Sequence, residues 1–113
     1  MYVVDYYTRP NGQTPASEWI NSLNIHQQTV ILAKLYKLEE EGLKLLQTGM
    51  MKRIVGRSNL YELIGGQCRM ILYHEVTSDK FLLLHGFLKR RQRETGEILT
   101  ACNLLDEYIK NPN

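Results

Sequence analysis

At 113 residues and 13.2 kDa the chain is the size of a single domain. Its 43% apolar and 23% charged residues suit a packed core and exclude wholesale disorder. The net charge is only +2, no apolar run approaches the ~20 residues that cross a bilayer, and Met1 to Asp5 lacks the basic and apolar regions of a secretory signal.

Residues 2–7, YVVDYY, are aromatic and β-branched and predict a strand. Arg9-Pro10-Asn11-Gly12 has turn chemistry, and Thr14-Pro15 suits a helix start, with Thr14 as cap and Pro15 in the first turn. Ala16, Trp19, Ile20 and Leu23 then share one helical face. A second helix is predicted from about His26 to Glu41. Ile31, Leu35 and Leu38 form its stripe, Leu32 lies beside them, and Gly42 is its C-terminal cap. Leu43 to Leu46 either continues this helix or packs as a loop.

From residue 50 the pattern turns extended. Lys52 to Val55 and Leu60 to Ile64 are either two strands or one strand bent at Gly56. Gly65-Gly66 has the composition of a two-residue hairpin turn. Cys68 to Val76, apolar on both faces, is expected at the centre of the sheet. Thr77-Ser78-Asp79 is the next turn and Lys80 to Leu88 the next strand. Ile98, Ala101, Cys102, Leu105, Tyr108 and Ile109 then mark one face of a final helix, with Thr95 as its cap and Glu97 in its first turn. The expected fold class is α+β: an antiparallel sheet of about four strands, covered on one face by two N-terminal helices and one C-terminal helix.

The charge is uneven. Residues 1–48 hold four Lys or Arg against five acids, and residues 49–113 hold ten against seven. Lys89, Arg90, Arg91 and Arg93 crowd into five positions, and Lys52, Arg53 and Arg57 form a second group. Clustered cations suit a polyanion, because they release counter-ions condensed on phosphates; they equally suit a solvated surface. Cys68 and Cys102, far apart in a chain without a signal, point to reduced thiols and a cytoplasmic location. No CxxC, paired His/Cys spacing or Asp-rich loop points to a structural metal.

Several segments, in order, carry a resemblance. They are Tyr6-Tyr7 with Pro10-Asn11-Gly12, Pro15, Trp19-Ile20, Leu60-Tyr61-Glu62-Leu63, Cys68-Arg69-Met70-Ile71-Leu72-Tyr73, and Leu83-Leu84-His85-Gly86-Phe87-Leu88-Lys89-Arg90. Nearly the whole chain resembles the phage-derived Gp49-like, HigB-type branch of the RelE/ParE toxin superfamily. The resemblance implies the toxin half of a type II toxin–antitoxin pair. It further implies metal-independent cleavage of mRNA, usually on the ribosome, without a cofactor, and neutralisation by a cognate antitoxin, often of helix-turn-helix type. ParE-type relatives instead poison DNA gyrase without cutting RNA, and a degenerate toxin would persist only as a binding or autoregulatory module.

Metal-free RNA cleavage uses the 2′-hydroxyl against the adjacent phosphate. It needs the RNA positioned, charge on the phosphoryl oxygens stabilised, and two protons moved. Arg69 is the first candidate: a planar, permanently charged fork in an otherwise apolar strand, matching the family's strand arginine. By alternation it shares a face with Ile71, Tyr73 and Glu75; a structural pairing with Glu62 on the neighbouring strand is the competing role. Lys89, with Arg90, matches the family's basic pair and suits gripping phosphates or protonating the leaving oxygen. Arg91 and Arg93 extend that patch, while Lys52, Arg53 and Arg57 suit an RNA backbone or plain solvation. His85 resembles the family's histidine before Gly-Phe and titrates near neutrality; its alternation with Leu83 and Phe87 equally suits a core histidine. Glu62 is the other candidate for proton transfer. Trp19, Tyr61, Tyr73 and Phe87 are first of all core residues.

Overall fold

The structure, a computed structural model, describes residues 1–90 and 94–111. Chain order is β1 (Val3–Tyr6), α1 (Pro15–Ser22), α2 (Ile25–Glu41), a short 3-10 segment (Gly42–Gln47), β2 (Met51–Arg53), β3 (Leu60–Gly65), β4 (Cys68–Glu75), β5 (Lys80–Leu88) and α3 (Thr95–Lys110). The five strands form one sheet in the order β1-β5-β4-β3-β2. β2 to β5 form an antiparallel meander, and β1 adds to the β5 edge in parallel. The expected four-stranded antiparallel sheet is thus a five-stranded mixed one. The chain between β1 and β5 passes through both N-terminal helices and the whole meander, so β1 is free to join in parallel. β4 lies at the centre, as its two apolar faces require.

The helices are not all on one face. α1 and α2 cover one side, where Ala16, Ile20, Ile31, Leu35 and Leu38 meet Met51, Leu63, Met70, Leu72, Phe81 and Leu83. α3 covers the other, where Ala101, Leu104, Leu105 and Tyr108 meet Leu60, Ile71, Leu82, Leu84 and Phe87. Continuously apolar strands have two faces to bury, and helices on one side leave the second bare. α2 begins with a capping box: Asn24 Oδ1 accepts from the Gln27 amide at 2.8 Å, and the Gln27 side chain accepts from the Asn24 amide. Gly42 ends it, as expected, at φ +57°. Thr14 and Thr95 do not cap through their hydroxyls. Glu18 reaches back to the Thr14 amide at 2.7 Å, and Glu94, one residue earlier than expected, is the cap position of α3.

Stripe assignments shift at their edges. Leu32 and Ile109 are exposed and Leu104 is buried, so the buried arc of each helix departs from the single row of the sequence pattern. The expected segments Lys52 to Val55 and Leu60 to Ile64 are separate strands, but the first is Met51–Arg53, one residue earlier than expected and ending before Ile54 and Val55; it pairs Met51 to Leu63 through Arg53 to Tyr61. The hairpin turn is Gly66-Gln67, not Gly65-Gly66: Gly65 still pairs with Cys68, and Gly66 takes φ +60°. At Gly86 the Trp19 indole lies directly on the backbone, and a Cβ there would sit 2.0 Å from Cε3. Glycine is what lets α1 approach β5 this closely.

Candidate functional site

One irregularity on β5 decides which side chains meet. Ile71 pairs with His85 but Leu72 pairs with Leu83, so Leu84 is an extra residue in a β-bulge. Leu83 faces α1 and α2, whereas His85 and Phe87 face α3, opposite to Ile71 and Arg69. His85 therefore shares its face with Phe87, as expected, but not with Leu83: the inserted residue reverses the alternation. Arg69, Ile71 and Tyr73 keep the expected common face, since β4 itself is regular.

On this face, towards the start of α3, the apolar layer gives way to charge. Glu62 on β3 lies opposite Lys52 on β2 and Ile71 on β4. Its side chain is only 2% exposed. Its Oε2 is 3.1 Å from Arg69 Nε, and its Oε1 is 3.7 Å from Lys52 Nζ. Arg69 is 13% exposed; its Nη1 donates to the Cys68 carbonyl at 3.1 Å and to the Gly66 carbonyl. The competing structural role of Arg69 is thus realised: two of its three nitrogens face partners inside the chain. Lys89, just beyond β5, places Nζ 3.0 Å from Oε1 of Glu94, whose side chain is 9% exposed. Glu62 Oε2, Glu94 Oε1 and Arg69 Nε are all buried without an aligned hydrogen bond. The cluster is held by charge proximity more than by directed bonds.

Burial pushes the Glu62 carboxyl above the usual carboxylate range. The nearby Glu94 pushes it further, while Lys52 and Arg69 pull it down. A groove of about 300 Å³ opens over these groups, lined by Lys52, Glu62, Lys89, Glu94 and Ile98 among others. A second of about 320 Å³ adjoins it through Lys89 and Glu94 and continues past Arg90 to Glu97. His85 Nε2 lies 2.7 Å from Glu97 Oε1, with its ring stacked on Phe87. Cations on a groove rim above a carboxyl raised by burial can hold an anion beside a group able to take up a proton.

The candidate residues thus divide. Arg69, Glu62, Lys52 and Lys89 come together. Arg90 lines the adjoining groove, and His85 meets that groove only through its contact with Glu97. Arg53 projects towards the opposite face, over the Tyr61 ring at 5.7 Å from its centroid, because it pairs with Tyr61 across β2 and β3. Arg57 is 2.7 Å from Asp106 and pins the β2–β3 turn to α3. Arg91 and Arg93 lie outside the described residues. Glu94 escaped the sequence reading; its only signal was an acid between a basic run and a helix start. Among the described residues no group of three or more His, Cys, Asp or Glu is placed to hold a metal ion, and no helix is long and apolar enough to cross a membrane.

No protein-family model and no curated protein matches the chain. Among solved structures, the fold is similar to that of a chain in the crystal structure of the toxin–antitoxin complex RelBE2 from Mycobacterium tuberculosis. The likeness covers 78% of this chain and 98% of that one, with a TM-score of 0.57 and 14% sequence identity. At that identity it is a likeness of fold: the protein shares its α+β architecture with a component of a toxin–antitoxin complex.

Proposed function

We propose that the chain is the toxin of a type II toxin–antitoxin pair in the HigB-type, Gp49-like branch of the RelE/ParE superfamily. In this reading it blocks translation in the cytoplasm as a metal-independent mRNA endoribonuclease, working with the ribosome and silenced by a cognate helix-turn-helix antitoxin. The observation that carries the reading is the groove in which Lys52 and Lys89 flank two buried carboxyls above Arg69. The fold it shares with a chain of a toxin–antitoxin complex supports the pairing with an antitoxin.

The ammonium groups of Lys52 and Lys89 take the phosphodiester, and Arg90 extends the cationic rim along the strand. Attack by the 2′-oxygen forms a bond to phosphorus and breaks the bond to the 5′-oxygen, leaving a 2′,3′-cyclic phosphate and a 5′-hydroxyl. The proton leaves the 2′-oxygen for an ionised group and another reaches the 5′-oxygen; Glu62 and His85 are the groups assigned to this exchange. Arg69 acts from beneath, as the positive charge 3.1 Å from Glu62 Oε2 that keeps this carboxyl available.

The pairing of Arg69 with internal acceptors favours a second reading, a gyrase inhibitor that binds without cutting RNA. Mapping transcript ends after brief induction separates the two. Cleavage within translated codons, abolished by Lys52→Gln with Lys89→Gln in a protein of unchanged melting temperature, is the expected result. Intact transcripts with DNA-damage signalling would establish the second reading, and full toxicity of the double variant would remove the groove from the mechanism.

A further inference from the structure

The groove already contains anions. Glu94 Oε1 occupies Lys89 Nζ at 3.0 Å, and Glu62 Oε1 stands 3.7 Å from Lys52 Nζ. Both acids are at least nine-tenths buried, both line the groove, and each keeps an oxygen without an aligned hydrogen bond. The cations that would receive a phosphate are therefore the ones these carboxylates now neutralise. A phosphodiester reaching Lys89 meets the Glu94 charge at contact range, in a site where burial weakens solvent screening.

We propose that Glu94 and Glu62 are built-in competitors of the RNA phosphate for Lys89 and Lys52, so that the groove takes up a proton when it binds a phosphodiester. This rests on the reading of the groove as an RNA site and adds its regulation. The proton has a place to go, because burial and the neighbouring Glu94 both raise the Glu62 carboxyl above the usual range, and its Oε2 is buried without an aligned hydrogen bond. Adding an anion raises the cost of a second negative charge there and draws the proton on more firmly. The charged groups facing the pair, among the described residues, are Lys52 from β2, Arg69 from β4 and Lys89 beyond β5; Arg53 edges the groove but turns its guanidinium over Tyr61 on the other face. The His85–Glu97 pair, which meets the adjoining groove through Glu97, is the competing site of any proton taken up.

The test measures binding of a short single-stranded RNA to the full chain from pH 6 to pH 8. Calorimetry in two buffers of different ionisation enthalpy then counts the protons. The wild type should bind more tightly as pH falls, by up to about tenfold per pH unit where one proton is taken up. Glu94→Gln, with its melting temperature checked, should bind more tightly at pH 8 and lose most of both the pH dependence and the uptake. Glu40→Gln, far out on α2, should behave as wild type. Because the calorimetric count on the wild type needs no variant, poor folding of Glu94→Gln leaves the inference exposed to failure. RNA bound with no proton uptake would overturn it. Uptake that persists unchanged when Glu62→Gln is combined with Glu94→Gln would place the proton outside this pair and overturn it as well. No RNA bound by either protein at any pH would overturn the RNA reading of the groove, a different failure from the first two.

Discussion

The two faces of the sheet are built to different rules. The face under α1 and α2 is apolar from Met51 to Phe81 and closes against Trp19 with no gap over Gly86. The face under α3 is equally apolar at its middle, around Ile71 and Leu84. Towards the start of α3 it gives way to Glu62, Arg69, Lys89 and Glu94. The first face contributes stability through area removed from water. The second places charges where desolvation opposes ionisation, which is what raises the Glu62 carboxyl above its usual range. Packing and chemistry are thus separated by the thickness of one sheet.

That division can be broken at either face. The largest effect is expected from Gly86→Val, which puts a branched side chain where Trp19 lies. Loss of at least about 3 kcal/mol, or failure to fold, should show in thermal unfolding; a wild-type melting temperature would mean α1 does not rest on β5. Leu38→Ala, wholly buried on the same side, should cost about 3 kcal/mol in denaturant titrations.

On the charged face, Arg69→Met leaves the Glu62 carboxyl without its closest counter-charge and should cost about 2 kcal/mol. Adding Glu62→Gln should recover about half of that in a double-mutant cycle, whereas simple additivity would show the two are uncoupled. Acid and base should act in opposite senses on the two kinds of carboxyl. Glu62 is raised in the fold, so its stabilising contribution is full below about pH 4.5 and fades as pH rises through the raised value. Glu75 is lowered by hydrogen bonds from Ser78 and Tyr108, and Glu107 by those from Arg9 and Tyr7. Their contribution is present above about pH 4.5 and is lost as pH falls through the lowered values. Unfolding free energies from pH 3 to pH 8 should therefore show a weaker decline at high pH in Glu62→Gln and a weaker decline at low pH in Tyr108→Phe. The smallest effect, within about 0.5 kcal/mol, is expected from Asp106→Ala, because its bridge to Arg57 is largely in solvent. A larger loss would make the β2–β3 turn part of the cooperative core.

Period and punctuation were enough to locate the elements. The stripe Ile31, Leu35, Leu38, the cap at Gly42 and the doubly apolar run of β4 are local properties, and local rules read them correctly. The pairing of Arg69 with Glu62 was also foreseeable, since it needs only two neighbouring antiparallel strands. What no local rule supplies is the side on which each layer packs. β1 joins β5 in parallel because burial of the whole chain requires it, and α3 crosses to the second face for the same reason. The Leu84 bulge leaves no mark in the residues around it, yet it turns His85 away from Leu83 and towards α3. Glu94 reaches Glu62 and Lys89 only because α3 starts where β5 stops. Side-chain type and spacing determined the pieces and the chemistry available to them; three-dimensional packing alone decided which charges would share one groove, because electrostatic coupling depends on distance in space and on exclusion of water, and neither is a property of sequence separation.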